Sequence, residues 1–93
     1  MANARTSLSQ AESSGARDGA PVELAMARDK LAKADEALHI EKFDMAKTLA
    51  EEAQVDAELA DRKTRAVKAK AAADELTRSN QLLREELDRK AAR

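Results

Sequence analysis

The chain carries a single histidine, His39, with Glu36 and Glu41 nearby. Those three positions do not share one helical face with ligand spacing, and zinc takes about four ligands, typically His and Cys. The expectation is a solvated turn histidine, with no metal and no cofactor. Carboxylates are plentiful, Glu51, Glu52, Asp56 and Glu58 among them. General acid–base work needs such groups in a cleft that perturbs their pKa values, and two or three thin helices offer none. Serines fall in the N-terminal third, plus Ser79, without a histidine close in sequence. Phosphate-loop, nucleophile-elbow and dinucleotide motifs are absent. No catalytic residue is assigned, and an enzyme is not expected.

One charged feature has the composition of a binding site. Arg62, Lys63, Arg65, Lys68 and Lys70 form a run of five basic residues uninterrupted by acid, whereas Val22–Asp61 holds eleven acidic and five basic residues. Such a band can meet lipid or nucleic-acid phosphates by electrostatics alone. Its charges spread around most of a helix, however, and no aromatic is present for base stacking. The net charge of -1 also disfavours an overall basic nucleic-acid binder. The band is therefore expected to pair with the acidic half, within the chain or across a neighbour, and no nucleic-acid partner is expected.

These residues must be positioned by helices. Alanine supplies 22 of 93 positions and leucine 10, charged residues make up 38%, and Phe43 is the only aromatic. That bias is characteristic of long helices and coiled coils, and the shortage of β-branched residues leaves strands little to build with. The chain is short enough to bury only a thin core. Cysteine is absent, which excludes disulfides and thiol chemistry without fixing a compartment. No apolar run approaches the roughly 20 residues that span a bilayer. The opening "MANARTSLSQ" lacks the apolar stretch of a signal peptide. The chain is then either cytosolic or a processed form with an added Met1.

Ala4, Leu8 and Ala11 mark one weak helical face over about residues 3–14. Gly15 fits a C-cap, and Gly19 with Pro21 marks a turn. Pro21 suits the first turn of a second helix, with Glu23 placed at the positive end of its dipole. Leu24, Leu31 and Leu38 recur every seven residues with Ala27 and Ala34 between them, a heptad seam over about 21–38. The seam then changes character, and a tight turn is placed near His39 to Lys42. Beyond it Ala46, Ala50, Ala53, Ala57 and Ala60 form a stripe. Leucine opposite alanine lets antiparallel helices approach within about 8–10 Å. The expected pairs are Leu38 with Ala46, Leu31 with Ala53 and Leu24 with Ala60. Phe43 is expected to plug the hairpin end, and Met26 and Met45 to fill gaps in the core.

No breaker appears between Lys42 and Ala92, so a helix over about 42–91 would be on the order of 75 Å long. The fold class is all-α: a short N-terminal helix, then an antiparallel hairpin whose last helix is very long and coiled-coil-like, in a single helical domain over 1–93. Along the last helix Leu76, Asn80, Leu83 and Leu87 keep heptad spacing, extended upstream by Ala66, Ala69 and Ala73. At 100° per residue these leucines lie about a third of a turn from the alanine stripe. An Asn in such a seam fixes register and oligomer state. This distal edge is therefore expected to serve self-association, as a homodimer, or a partner helix, the alternative cover being the N-terminal helix.

The stretches "APVELAMARDKLAKADEAL" and "EKFDMAKTLAEEAQVDAELA" resemble an uncharacterised, alanine-rich bacterial envelope family, a domain of unknown function often found before an OmpA-like peptidoglycan-binding domain. Ala20, Pro21, Glu23, Leu24, Ala27, Arg28 and Leu31 match its first helix. Ala46, Leu49, Ala50, Ala53, Asp56, Ala57, Leu59 and Ala60 match its long helix, which follows a Gly-Asp-Tyr-like turn. Gly19 replaces the usual aromatic near Ala-Pro, and Phe43 stands where tyrosine is common. The resemblance implies a periplasmic, lipoprotein-like chain of the Gram-negative cell envelope, with envelope or peptidoglycan-associated partners. The expected function is a structural or protein-interaction module, a helical spacer and association rod. The alternative is a cytosolic coiled-coil adaptor whose cationic band contacts nucleic acid or anionic membrane. A tetratricopeptide-like hairpin is weaker, because the helices are unequal and no second repeat exists.

Overall fold

A computed structural model describes residues 2–92. Among these residues it contains four helices: α1 (Ala2–Ser14), α2 (Ala16–Gly19), α3 (Pro21–His39) and α4 (Phe43–Ala91). The class is the expected one, an all-α hairpin with a very long final helix. The principal extents are 79 × 17 × 15 Å and the radius of gyration is 21.1 Å, where a compact chain of this length would give about 12 Å. The molecule is a rod with a thickened end.

The thick end is a head in which α1 and α3 both pack along the first half of α4. Alanine sets its dimensions. Leu31 and Ala34 of α3 share a core cluster with Ala50 and Ala53 of α4, sealed by Ala4 of α1. Leu24 lies with Ala60, Ala11, Ala16 and Ala20 in a second cluster, and Leu8 packs against both. The Leu31–Ala53 and Leu24–Ala60 neighbours are those the opposing seams predict. Because the α4 side of each contact is a methyl group, leucine from α3 fills the gap without separating the axes.

The connections explain the ends of the helices. Gly15 has φ 94, the left-handed geometry that glycine adopts without a Cβ penalty, and it ends α1. The Gly15–Pro21 stretch, expected as a turn, instead holds the one-turn helix α2. Ala16 is fully buried there, and that burial pulls the segment onto α4. At the hairpin the chain reverses through a Schellman arrangement. Glu41 N–H donates to the Leu38 carbonyl at 3.0 Å and Lys42 N–H to the Ala37 carbonyl at 2.9 Å, with Glu41 itself at φ 61. Both bonds satisfy carbonyls that the end of α3 leaves open.

Three expectations about the core are corrected. Phe43 is 61% exposed and does not plug the hairpin. It is the first residue of α4 and borders an open groove with Leu38, Ala46 and Ala4, which leaves most of its ring to solvent. Leu38, in that last turn, is only partly covered at 37% exposure, for want of a helix beyond it. Met26 and Met45 are also exposed, on outer faces rather than in gaps. In the other direction, Thr64 extends the buried stripe one turn past Ala60. Its hydroxyl donates to the Ala60 carbonyl at 2.8 Å, which satisfies a polar group that burial would otherwise penalise.

Candidate functional site

Burial along α4 stops at Thr64: from Arg65 to Ala92 every described residue is exposed. Beyond Lys68, whose side chain still reaches the head, roughly 35 Å of helix stands clear. The alternative cover for the distal leucines is excluded within the chain, since α1 packs on the proximal half, with Ala4 and Ala11 against it. Leu76, Leu83 and Leu87 are 63%, 59% and 58% exposed, and Asn80 is exposed among them. Isolated surface leucines are ordinary. Three at heptad spacing on an unsupported helix form a continuous apolar edge.

The edge is longer than the distal leucines suggest. Counting back by alternating three and four residues from Leu76 gives Ala73, Ala69, Ala66, Arg62, Leu59 and Val55. Val55 is 62% exposed and Leu59 is 42% exposed, on the side of α4 turned away from α1 and α3. The outer seam therefore runs from Val55 to Leu87, about 48 Å. It crosses from the head onto the bare rod with a drift of about 20° per heptad on a straight helix, a drift that a left-handed supercoil absorbs. Sequence reasoning assigned Leu59 only by resemblance and left Val55 unassigned. The signal that finds both is the unbroken heptad spacing.

The cationic band is mostly engaged within the chain. Lys63 Nζ donates to Glu23 Oε1 at 2.5 Å, Arg65 Nε to Asp61 Oδ2 at 3.0 Å and Lys70 Nζ to Asp74 Oδ2 at 3.0 Å. Lys68 Nζ donates to the Ser14 carbonyl, which otherwise sits open at the end of α1. Arg62 has no ion pair among the described residues, and it lies on the outer seam. Lys63 holds the Glu23 carboxyl below its ordinary pKa. Asp61 is lowered as well, first by the Ser14 hydroxyl beside it and then by Arg65, against an opposing push from burial. The Ser14 hydroxyl has one proton, which it donates to the Ala11 carbonyl at 2.9 Å. Asp61 Oδ1, buried without a hydrogen bond, is the acceptor to which it can swing.

Other ion pairs strap the head: Lys30–Asp56 at 2.7 Å, Arg5–Asp35 at 2.7 Å and Arg28–Glu12 at 3.2 Å. Lys30 is raised above its ordinary pKa chiefly by Asp56. His39 lies at the exposed end of α3, its Nδ1–H donating to the Asp35 carbonyl at 2.8 Å. Among the described residues no three His, Cys, Asp or Glu side chains converge as a metal cage. No described helix is long and apolar enough to cross a membrane.

Fold and surface together define a class: an alanine-packed helical hairpin extended into a rod, with a long apolar seam facing outward. The chain belongs to the family described as Domain of unknown function (DUF4398), whose model matches residues 1–76. That span takes in the whole head and the rod as far as Leu76. No curated protein and no solved structure matches the chain.

Proposed function

We propose that this protein is a non-catalytic association module, in which the head braces α4 and the rod binds another helix. The observation that carries the reading is the bare length of α4, with Leu76, Leu83 and Leu87 on one edge and no cover of its own. A helix this long has no reason to stay straight in water on propensity alone, because tertiary packing supplies most helical stability in proteins. A second copy of the chain is the economical source of that packing. The setting in the bacterial envelope, as a spacer near peptidoglycan-associated proteins, is supported by the family likeness.

The test is sedimentation equilibrium on the intact chain. A dimer is expected, and Leu83→Asp is expected to return it to monomer while circular dichroism keeps the helical signature of the head. A wild-type chain that stays monomeric at high concentration overturns the reading. Fractionation of cells expressing the native gene separates the envelope setting from the alternative of a cytosolic adaptor. The adaptor reading is the weaker, because four of the five band cations already hold partners in the chain.

A further inference from the structure

The outer seam of α4 reads, from Val55 to Leu87, Val, Leu, Arg, Ala, Ala, Ala, Leu, Asn, Leu, Leu at alternating four- and three-residue steps. Its polarity pattern is the same in both directions. Two large apolar residues stand at each end, one polar residue comes next, and small or apolar residues fill the middle. From this we infer that two copies pair antiparallel through α4 in one register, with a two-fold axis between Ala69 and Ala73. This rests on the association reading above and specifies its geometry.

In that register Val55 meets the partner's Leu87 and Leu59 meets the partner's Leu83. Arg62 meets the partner's Asn80, so the only two polar seam residues face each other. Ala66 lies against the partner's Leu76, and Ala69 against the partner's Ala73. Alanine at the centre lets the two axes come close. Each bare rod then lies on the outer face of the other copy's head, where Val55 and Leu59 are exposed. Charge follows the same order. The next seam position outward is Glu52 at one end and Lys90 at the other, and Glu52 faces the partner's Lys90. Beside the seam, the partner's Arg84 comes level with Asp56, whose carboxylate is already held by Lys30 at 2.7 Å, so that pair adds little.

Other registers fit worse. Slipping by one heptad in one direction sets Arg62 against the partner's Leu87 and Leu59 against the partner's Lys90. Slipping the other way sets Leu83 against the partner's Glu52 and Asn80 against the partner's Val55. A parallel pair places Arg62 against the partner's Arg62 and Arg65 beside the partner's Lys70, like charges that oppose pairing. The antiparallel register has its own like-charge neighbours, but each is muted within its chain. Lys70 near the axis holds Asp74 at 3.0 Å. Glu86, which approaches the partner's Glu58, holds Arg89 at 3.3 Å.

The absence of cysteine allows a clean distance measurement. Glu85, exposed on the side of the rod opposite the seam, is changed as Glu85→Cys and labelled with a nitroxide. Pulsed dipolar spectroscopy and sedimentation are run on the same full-length sample. In the inferred register Glu85 stands level with the partner's Ala57, separating the labels by roughly 42 Å along the axis. A dimer with that separation supports the pairing. A dimer whose labels lie about 10 Å nearer or farther has slipped by a heptad, and one with no axial separation is parallel. Either result overturns the register and leaves the association reading standing. A monomer overturns both.

Discussion

Gly19 sits where α2 presses on α4, and replacing it tests whether that contact is as tight as the structure draws it. A Cβ built at Gly19 falls 2.7 Å from Thr64 Oγ1, 2.8 Å from Cγ2 and 3.0 Å from Cβ. All three atoms belong to one β-branched, buried side chain whose hydroxyl is held by the Ala60 carbonyl. Thr64 therefore has no free rotamer to retreat into, and the backbones must part. Overpacking of this kind costs about 1–3 kcal/mol. Against it stands the helix propensity of alanine over glycine, worth about 0.5–1 kcal/mol in the opposite direction. The net expectation for Gly19→Ala is destabilisation by about 1–2 kcal/mol. For a chain of this size that lowers the thermal midpoint by roughly 5–10 °C. The assay is a circular dichroism melt at fixed protein concentration, since association shifts apparent stability. Thr64→Ala removes two of the three clashing atoms, so in the double variant the Gly19→Ala penalty should largely disappear. A double-mutant cycle is then expected to show about 1 kcal/mol of coupling. If Gly19→Ala raises the midpoint and the cycle shows no coupling, α2 does not pack on Thr64 and the reasoning is wrong.

Further outcomes follow from the corrected core and from the ion pairs. Phe43→Ala should shift the chemical-denaturation midpoint little, by under about 1 kcal/mol, whereas a buried plug would lose about 3 kcal/mol or more. Glu41→Gly should stabilise by about 1 kcal/mol, because it relieves a left-handed residue at φ 61; an unchanged melt would show that the turn is not held there. Glu23 and Asp61 have folded pKa values below their ordinary 4.5 and 3.8. Their contribution is present above those values and is lost as pH falls through the folded values. The melting temperature should therefore drop in acid, less steeply in Lys63→Met. Lys30 is raised above its ordinary 10.5. Its share is present below that pH and is lost as pH rises past the folded value, a loss that Lys30→Met should abolish.

The inner faces were legible because they are local. Leu24, Leu31, Ala53 and Ala60 announce themselves by spacing, and the same counting places Leu76, Leu83 and Leu87 on another edge. Thr64 was not legible, since a polar residue at the end of an alanine stripe reads as the stripe's end. Only the carbonyl of Ala60 and the arrival of α2 make it core. Gly19 looked like a turn residue for the same reason: its requirement is the nearness of a helix 45 positions later. Phe43 misled in the opposite sense, as the largest side chain in a small molecule.

Side-chain pattern thus determined which faces are apolar, how long α1, α3 and α4 run and that the last one outreaches its mate. Periodicity and capping act over a few residues, so a linear chain records them. Tertiary packing alone decided where cover ends. Whether Leu38 or Phe43 is buried depends on how far a neighbouring helix extends past it. Whether α1 shields the rod depends on where along α4 its alanines find the leucines of α3. They find them at the head, so the outer seam stays open in a single chain.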